Sequence, residues 1–259
     1  YTLSLHDALP ISQKLYDRAL TGLTAIMGPD APVTLRVRTK IAILAENQAL
    51  YAAAEEQYNK VIQSMGNATE TDTGLSYAKE GLALVYRMQG LYVKSAECLE
   101  EVCSMHKRDR SLNEYNPKVI QSQQNLGIAY FDLGRYTEAE RLLVSILERC
   151  REKYDDSHEI TKGVAMNLAM TWVYQGRFED AEGMALRAID PITTGFDPVK
   201  QCTRSKRPYL IDALEILART HEHLHKNAEA EAEYNVVLQS RQSVDRKSTR
   251  LNSSHQYYL

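Results

Sequence analysis

The sequence predicts an all-α fold in which pairs of helices follow one another along the chain. One observation is a pattern of about 42 residues that occurs five times. Its repeats are marked by Ala49, Gly90, Gly134, Gly176 and His225. A second observation is that apolar residues recur within each repeat at intervals of three and four residues, the spacing of one face of an α-helix. Glycine and proline number only 12 and 7, which is too few for the many tight turns of an all-β chain.

Small side chains predict where the two helices of each pair approach closely. Every position seven residues before a marker, and every position five residues after one, holds Ala, Gly or Ser. Two helices approach closely only where neither carries a bulky side chain. We therefore expect Gly134 and Ala139, like the other small residues, to lie at close helix contacts. The two sets are Ala42, Ala83, Gly127, Ala169 and Ala218, and Ala54, Ser95, Ala139, Ala181 and Ala230.

The third repeat shows the predicted helix pair most clearly. Its first helix is expected near Lys118–Leu133 and its second near Tyr136–Tyr154, with Gly134 as the stop signal between them. Before the first full repeat, the spacing of Leu15 and Ala19 predicts one further helix that corresponds to the second of a pair. The predicted units are about 13–31, 32–71, 72–115, 116–157, 158–203 and 204–244.

Both ends of the chain resemble translated sequencing adapters. The strings concerned are Ser4–Ile11 and Asp245–His255. Residues 1–12 are therefore expected to be an artefact, and residues 245–259 an artefact or a disordered tail. The repeat domain is expected to span residues 13–244, and the natural protein to continue in both directions.

The repeat resembles the tetratricopeptide family, in the form of about 42 residues that is similar to kinesin light chains. The resemblance is carried by Asn125–Tyr130 with Gly134–Glu140, and by Gly176–Glu182, and it covers about Ser12–Val244. It implies a right-handed αα solenoid of about five helix pairs plus a leading single helix. It also implies a protein–protein interaction module, without catalytic residues or cofactor, that binds a peptide or partner protein in a concave groove lined by the first helix of each pair.

Helical geometry then predicts which side chains face that groove. In the third repeat these are Gln121, Gln124, Asn125, Ile128 and Phe131, and in the fourth Met166, Asn167, Met170, Val173 and Tyr174. Asn125 and Asn167 occupy the same position one repeat apart. An amide both donates and accepts, so a row of amides suits the backbone of an extended peptide. The alternative is that both asparagines are solvated and that the methionines belong to the core.

Composition limits the classes of partner and the cellular location that we expect. The net charge is −3, which provides no general attraction to nucleic acid or to anionic membranes. No apolar run reaches the roughly 20 residues needed to span a bilayer. The four cysteines form no C-x-x-C motif, and free thiols favour a cytoplasmic protein.

Two other functions remain open from the sequence. The chain is also compatible with the sensor or scaffold arm of a larger signalling ATPase-type regulator. More remotely, His221-Glu222-x-x-His225 matches the H-E-x-x-H pattern of zinc hydrolases. However, His221 and His225 occupy positions that hold aromatic residues and glycine in other repeats, so we predict no metal site.

Overall fold

The computed structural model describes residues 5–66, 73–189 and 208–248. Within these ranges it contains eleven helices and no strand, which confirms the all-α prediction. They are α1 (Leu5–Met27), α2 (Pro32–Asn47), α3 (Tyr51–Met65), α4 (Thr73–Met88), α5 (Tyr92–Arg108), α6 (Pro117–Asp132), α7 (Tyr136–Tyr154), α8 (Glu159–Tyr174), α9 (Phe178–Ile189), α10 (Pro208–His223) and α11 (Asn227–Ser248).

The order of the helices follows the predicted repeat. The single helix α1 comes first, and five pairs follow within the described residues. α1 and α11 include parts of the two segments that resemble adapters, whereas residues 1–4 and 249–259 lie outside the described residues. The limits of the repeat domain stay a prediction.

The chain divides into two compact units, Tyr1–Leu133 and Gly134–Leu259. In the first unit each helix from α1 to α6 packs against the next, and α2 also contacts α4. Its core includes Tyr58, whose ring lies so close to Gly81 that a β-carbon at position 81 would overlap it. Ala42, Ala45, Ala54, Val61, Ala78, Leu82 and Val85 complete this cluster.

The second unit is built from α7 to α11. α8 packs against α7 and α9, and α10 packs against α8, α9 and α11. Large aliphatic side chains fill the space between these helices and are buried: Leu143, Ile146, Leu147, Leu168, Leu214, Ile216 and Leu217. Because α8 and α10 touch directly, side chains from two successive repeats meet within this unit.

All ten small residues of the predicted close contacts are buried. Ala139, for example, has no exposed surface. A larger side chain at such a position would force its neighbours out of their packed arrangement. The small residues therefore mark close packing, as the sequence predicts.

The prediction for Gly134 is wrong in its physical reason. A β-carbon there would meet no atom within 4 Å, so Gly134 does not lie at a close helix contact. Instead its φ is +73°, in the left-handed region. The other four repeat markers share this conformation, with φ of +57° at Ala49, +76° at Gly90, +78° at Gly176 and +60° at His225. The markers are thus the residues that reverse the chain between the helices of a pair, and glycine is favoured there for its backbone.

Ala49→Gly is therefore expected to stabilise the protein. The left-handed conformation costs alanine about 1–2 kcal/mol, and the greater freedom of glycine in the unfolded chain offsets part of that gain. We expect a net increase of about 0.5–1 kcal/mol in the free energy of unfolding, measured by urea denaturation. The matched control is Ala232→Gly, at an exposed position inside α11, which should lose about 1 kcal/mol. Equal losses in both variants would contradict the role assigned to the marker.

Carboxylates join successive repeats within each unit. Glu55, Glu140 and Glu182 each lie six residues after a marker, and each binds the residue four positions before the next marker. Glu140 accepts hydrogen bonds from Trp172 Nε1 (2.9 Å), Gln175 Nε2 (3.0 Å) and Arg177 Nη1 (2.5 Å). Arg177 also lies over the Trp172 ring, 4.8 Å from its centroid.

The same bridge occurs twice more with different partners. Glu55 accepts hydrogen bonds from Gln89 Nε2 (3.3 Å) and from Tyr86. Glu182 lies 3.0 Å from His221 Nε2 and 2.7 Å from Lys226 Nζ. In the second repeat Ala96 replaces the glutamate, and Tyr130 binds Glu100, one helical turn further along, at 2.9 Å. These bridges set the register between neighbouring repeats.

Candidate functional site

Part of α6 presents the side chains predicted to face a ligand. α6 begins at Pro117, after the N-cap Asn116, whose side chain accepts a hydrogen bond from the backbone of Lys118 at 2.9 Å. Gln121, Asn125, Ile128 and Phe131 are partly exposed along this helix. Gln121 Nε2 donates to Asn125 Oδ1 at 3.0 Å, which orients the Asn125 amide and leaves its NH2 group directed away from that bond.

The corresponding face of α8 lies in the second unit. Its cap is His158, whose Nδ1 accepts a hydrogen bond from the backbone of Ile160 at 3.2 Å. Asn167 and Met170 are partly exposed, and Tyr174 has 49% of its surface exposed. Their spacing of three and four residues places them on one stripe of the helix. This stripe, called here the α8 face, carries the amide that the sequence predicts to bind a peptide backbone.

Three of the ten predicted residues lie in the interior instead. The exposed fraction of the residue surface is only 3% for Gln124, 2% for Met166 and 8% for Val173. The burial of Gln124 and Met166 does not fit direct contact with a ligand, whereas Val173 still lines part of a cleft. Met166 and Val173 lie seven residues apart, directly beside Asn167 and Tyr174, so a rotation of about 100° around α8 separates the buried stripe from the exposed one. The methionines thus divide, with Met166 in the core and Met170 partly exposed.

A cleft opens at the end of the α8 face. Its volume is about 390 Å³, and we call it the aromatic cleft. It is lined by residues from four helices of the second unit and the turn between α8 and α9: Val173, Tyr174, Gly176, Phe178, Arg219, Glu222, His223 and Tyr234. α8 ends at Tyr174, Gly176 turns the chain in the left-handed conformation, and α9 begins at Phe178. Tyr174 and Phe178 therefore both line the cleft.

Ring contacts hold the walls of the aromatic cleft. His223 stacks on Phe178 with centroids 4.5 Å apart and planes inclined by 14°. Tyr174 lies 5.8 Å from Tyr136 in a tilted arrangement. Tyr234, with 37% of its surface exposed, donates its hydroxyl to Glu222 Oε2 at 2.9 Å. Burial and this neighbouring carboxylate raise the pKa of Tyr234 to about 12, so it remains a neutral hydroxyl at physiological pH.

Arg219 supplies the cation of the aromatic cleft. Its Nη2 donates to Glu215 Oε1 at 3.0 Å, so its charge is already paired. Its Nε–H is buried and forms no hydrogen bond. A buried donor without an acceptor costs about 1–3 kcal/mol, so this atom favours an added acceptor.

The H-E-x-x-H string does not have the helical geometry that this pattern has in zinc hydrolases. α10 ends at His223, and His225 lies beyond it with positive φ, so the two outer histidines do not share a helical face. His221 is buried between two carboxylates, with Nε2 at 3.0 Å from Glu182 and Nδ1 at 2.9 Å from Glu233. It therefore occupies the bridging position that Trp172 has in the preceding repeat. Across the described ranges, no three His, Cys, Asp or Glu side chains are grouped to hold a metal ion.

Residues 118–190 match the family model of the tetratricopeptide repeat. These residues carry the tetratricopeptide repeat. A comparison with curated protein sequences gave no match.

Solved structures share this fold at low sequence identity. BtubC (BKLC) from P. vanneervenii is 18% identical, with a TM-score of 0.68 and 92% of each chain covered. A putative kinesin light chain repeat protein from Podosopora anserina is 20% identical, with a TM-score of 0.61, covering 82% of this chain and 97% of that one. A Rap protein in complex with Competence and Sporulation Factor is 13% identical, with a TM-score of 0.66, covering 96% of this chain and 69% of that one.

Besides the marker Gly176, five residues of the aromatic cleft were not among the ten residues predicted to face the groove in the third and fourth repeats. Phe178 and Tyr234 lie on second helices, which that prediction did not consider, whereas Arg219, Glu222 and His223 lie on the first helix of the fifth repeat. The sequence offered one signal for Phe178. It comes directly after the turn, at the position that Tyr136 has in the preceding repeat. Without the contact between repeats, that position indicates packing as readily as binding.

Two further observations concern the cellular location predicted for the protein. Cys98, Cys103 and Cys150 are free thiols, and Cys202 lies outside the described residues. In the part of the chain that the structure describes, no helix has the length and apolar character needed to cross a membrane. The cytoplasmic location stays a prediction.

Proposed function

We propose that this tetratricopeptide repeat protein binds peptides, or extended segments of a partner protein, on two surfaces, one on the first helix of its third repeat and one on the first helix of its fourth. The observation that carries the proposal is the α8 face. There an amide, a thioether and a phenol lie partly exposed on one helical stripe, beside a stripe that is buried. Amides bind a peptide backbone, and the flexible methionine side chain adapts to irregular apolar surfaces.

The partly exposed residues of α6 support the same function in the first unit. Gln121 and Asn125 form an amide pair, with Ile128 and Phe131 further along the helix. This combination of backbone-binding and apolar groups has the composition of a peptide-binding surface. Among proteins of similar fold, a Rap protein has been crystallised with Competence and Sporulation Factor, and the structure of the Rap conjugation gene regulator of plasmid pLS20 is a complex with the Phr* peptide. Those partners support binding in a fold of this kind.

Selection of peptides from a random displayed library against the full chain tests the proposal. We expect the double variant Asn125→Ala and Asn167→Ala to retain its thermal stability and to bind the selected peptides about 5-fold more weakly per lost amide bond. Fluorescence anisotropy of labelled peptides measures the dissociation constants.

The matched control is Arg187→Ala, an exposed residue of α9, for which we expect unchanged affinity. Peptides that bind the double variant as tightly as the original chain would contradict the role of the amides. Failure to select any saturable peptide would contradict the proposed function itself.

A further inference from the structure

The aromatic cleft brings together partly exposed aromatic side chains and one buried hydrogen-bond donor that has no acceptor. Tyr174 and Tyr234 expose large parts of their rings, although burying aromatic surface lowers the free energy. Beside them, the buried Nε–H of Arg219 has no acceptor. One ligand can satisfy both only if it carries an apolar group and a hydrogen-bond acceptor close together.

The size of the cleft limits that ligand. A volume of about 390 Å³ is at the lower end of the range of about 300–1,000 Å³ for small-molecule sites. It accommodates one large side chain with its adjoining backbone. The cleft also adjoins the α8 face through Tyr174, so a peptide bound along Asn167 and Met170 reaches it directly.

The charged side chains around the cleft favour a ligand whose hydrogen-bond acceptor is neutral. The guanidinium of Arg219 is paired with Glu215 at 3.0 Å. Glu222, which is exposed and bound to Tyr234, places a second carboxylate on the cleft wall. A negatively charged ligand would be repelled by Glu222 and would compete with Glu215, whereas a carbonyl oxygen meets neither cost.

We infer that the aromatic cleft takes one large apolar side chain of a peptide, and that Arg219 Nε–H donates a hydrogen bond to a neutral main-chain carbonyl of that peptide. This inference rests on the proposed function and specifies its ligand. The side chain packs among Tyr174, Phe178 and Tyr234. Selectivity for a neutral residue over an acidic one follows from Glu222.

Titration of the full chain with N-acetyl-L-phenylalaninamide tests the inference. The probe carries the side chain and two neutral carbonyls. We expect saturable shifts of the backbone amide resonances of Gly176 and His223, with a dissociation constant of about 1 mM, which is typical of a fragment of this size. N-acetyl-L-alaninamide should cause no saturable shift, and N-acetyl-L-phenylalanine, which carries a carboxylate, should bind at least about 3-fold more weakly.

Two variants test the hydrogen bond assigned to Arg219 separately from the apolar contacts of the cleft. Arg219→Lys retains the positive charge but lacks Nε–H, and should bind the phenylalaninamide about 5-fold more weakly. Arg187→Lys makes the same change at an exposed position of α9 and should not alter binding. Unchanged resonances outside the cleft verify that each variant is folded.

Three results would overturn the inference. They are tighter binding of the carboxylate probe, equal binding of the alanine probe, or no saturation by phenylalaninamide at the cleft. Equal affinity of Arg219→Lys would overturn the assigned hydrogen bond. If the probe fails while library peptides still bind and depend on Asn125 and Asn167, only this inference fails. If no peptide binds at all, the proposed function fails with it.

Discussion

Asp212→Asn is expected to stabilise the protein at pH 8 by about 2–4 kcal/mol and to change its stability little at pH 4. Burial, with a contribution from the neighbouring Glu215 carboxylate, raises the pKa of Asp212 to about 7, although Arg241 opposes the shift. A shift of about three units corresponds to about 4 kcal/mol, and partial solvent exposure of Asp212 reduces this value.

The direction of the pH dependence follows from the raised pKa. The neutral carboxyl is the form that the folded chain favours, so its full stability is present below about pH 4, the ordinary pKa of an aspartate. That stability is lost as the pH rises through about 7. Asparagine cannot ionise, so the variant should retain it.

Urea denaturation at pH 4, 6 and 8 measures this effect. The control is Glu231→Gln, an exposed residue of α11, which should change the free energy of unfolding by less than about 0.5 kcal/mol. If Asp212→Asn lost stability at pH 8, the carboxylate would have a favourable partner in the folded protein and the assignment would be wrong.

Glu140→Ala is expected to destabilise the second unit by about 3 kcal/mol. The change removes three hydrogen bonds and leaves the Trp172 and Gln175 donors without their acceptor. Although burial opposes ionisation, the hydrogen bonds from Trp172, Gln175 and Arg177 lower the pKa of Glu140. Its contribution is therefore complete above about pH 5 and is lost as the pH falls through the folded-state pKa.

The fluorescence of Trp172, the single tryptophan of the chain, reports this unfolding directly. Glu138→Ala is the matched control, since Glu138 lies on the same helix but is about half exposed and pairs with Arg135, three residues away. Its loss should leave the free energy of unfolding nearly unchanged, because exposed ion pairs contribute little to stability. Equal effects of the two substitutions would show that Glu140 does not join the third and fourth repeats as described.

The carboxylate bridges explain residues whose role the sequence pattern did not reveal. The position four residues before each of the last four markers holds an aromatic residue or His221, which suggested packing alone. The structure adds that these side chains also donate to a glutamate of the preceding repeat. His221 departs from the pattern in residue type but retains this function, because an imidazole nitrogen reaches the Glu182 carboxylate as the Trp172 indole reaches Glu140.

The sequence by itself determined the helix pairs, their turns and the positions of close contact. These features depend on local periodicity and on side-chain size, and both recur every 42 residues or so. The sequence could not separate Asn167 and Tyr174 from Met166 and Val173, because exposure on a helix depends on the helices that flank it. The aromatic cleft likewise required the tertiary structure. Its lining comes from residues up to about 60 positions apart, and only the packing of α10 against α8 and α9 brings Arg219 beside Tyr174 and Phe178.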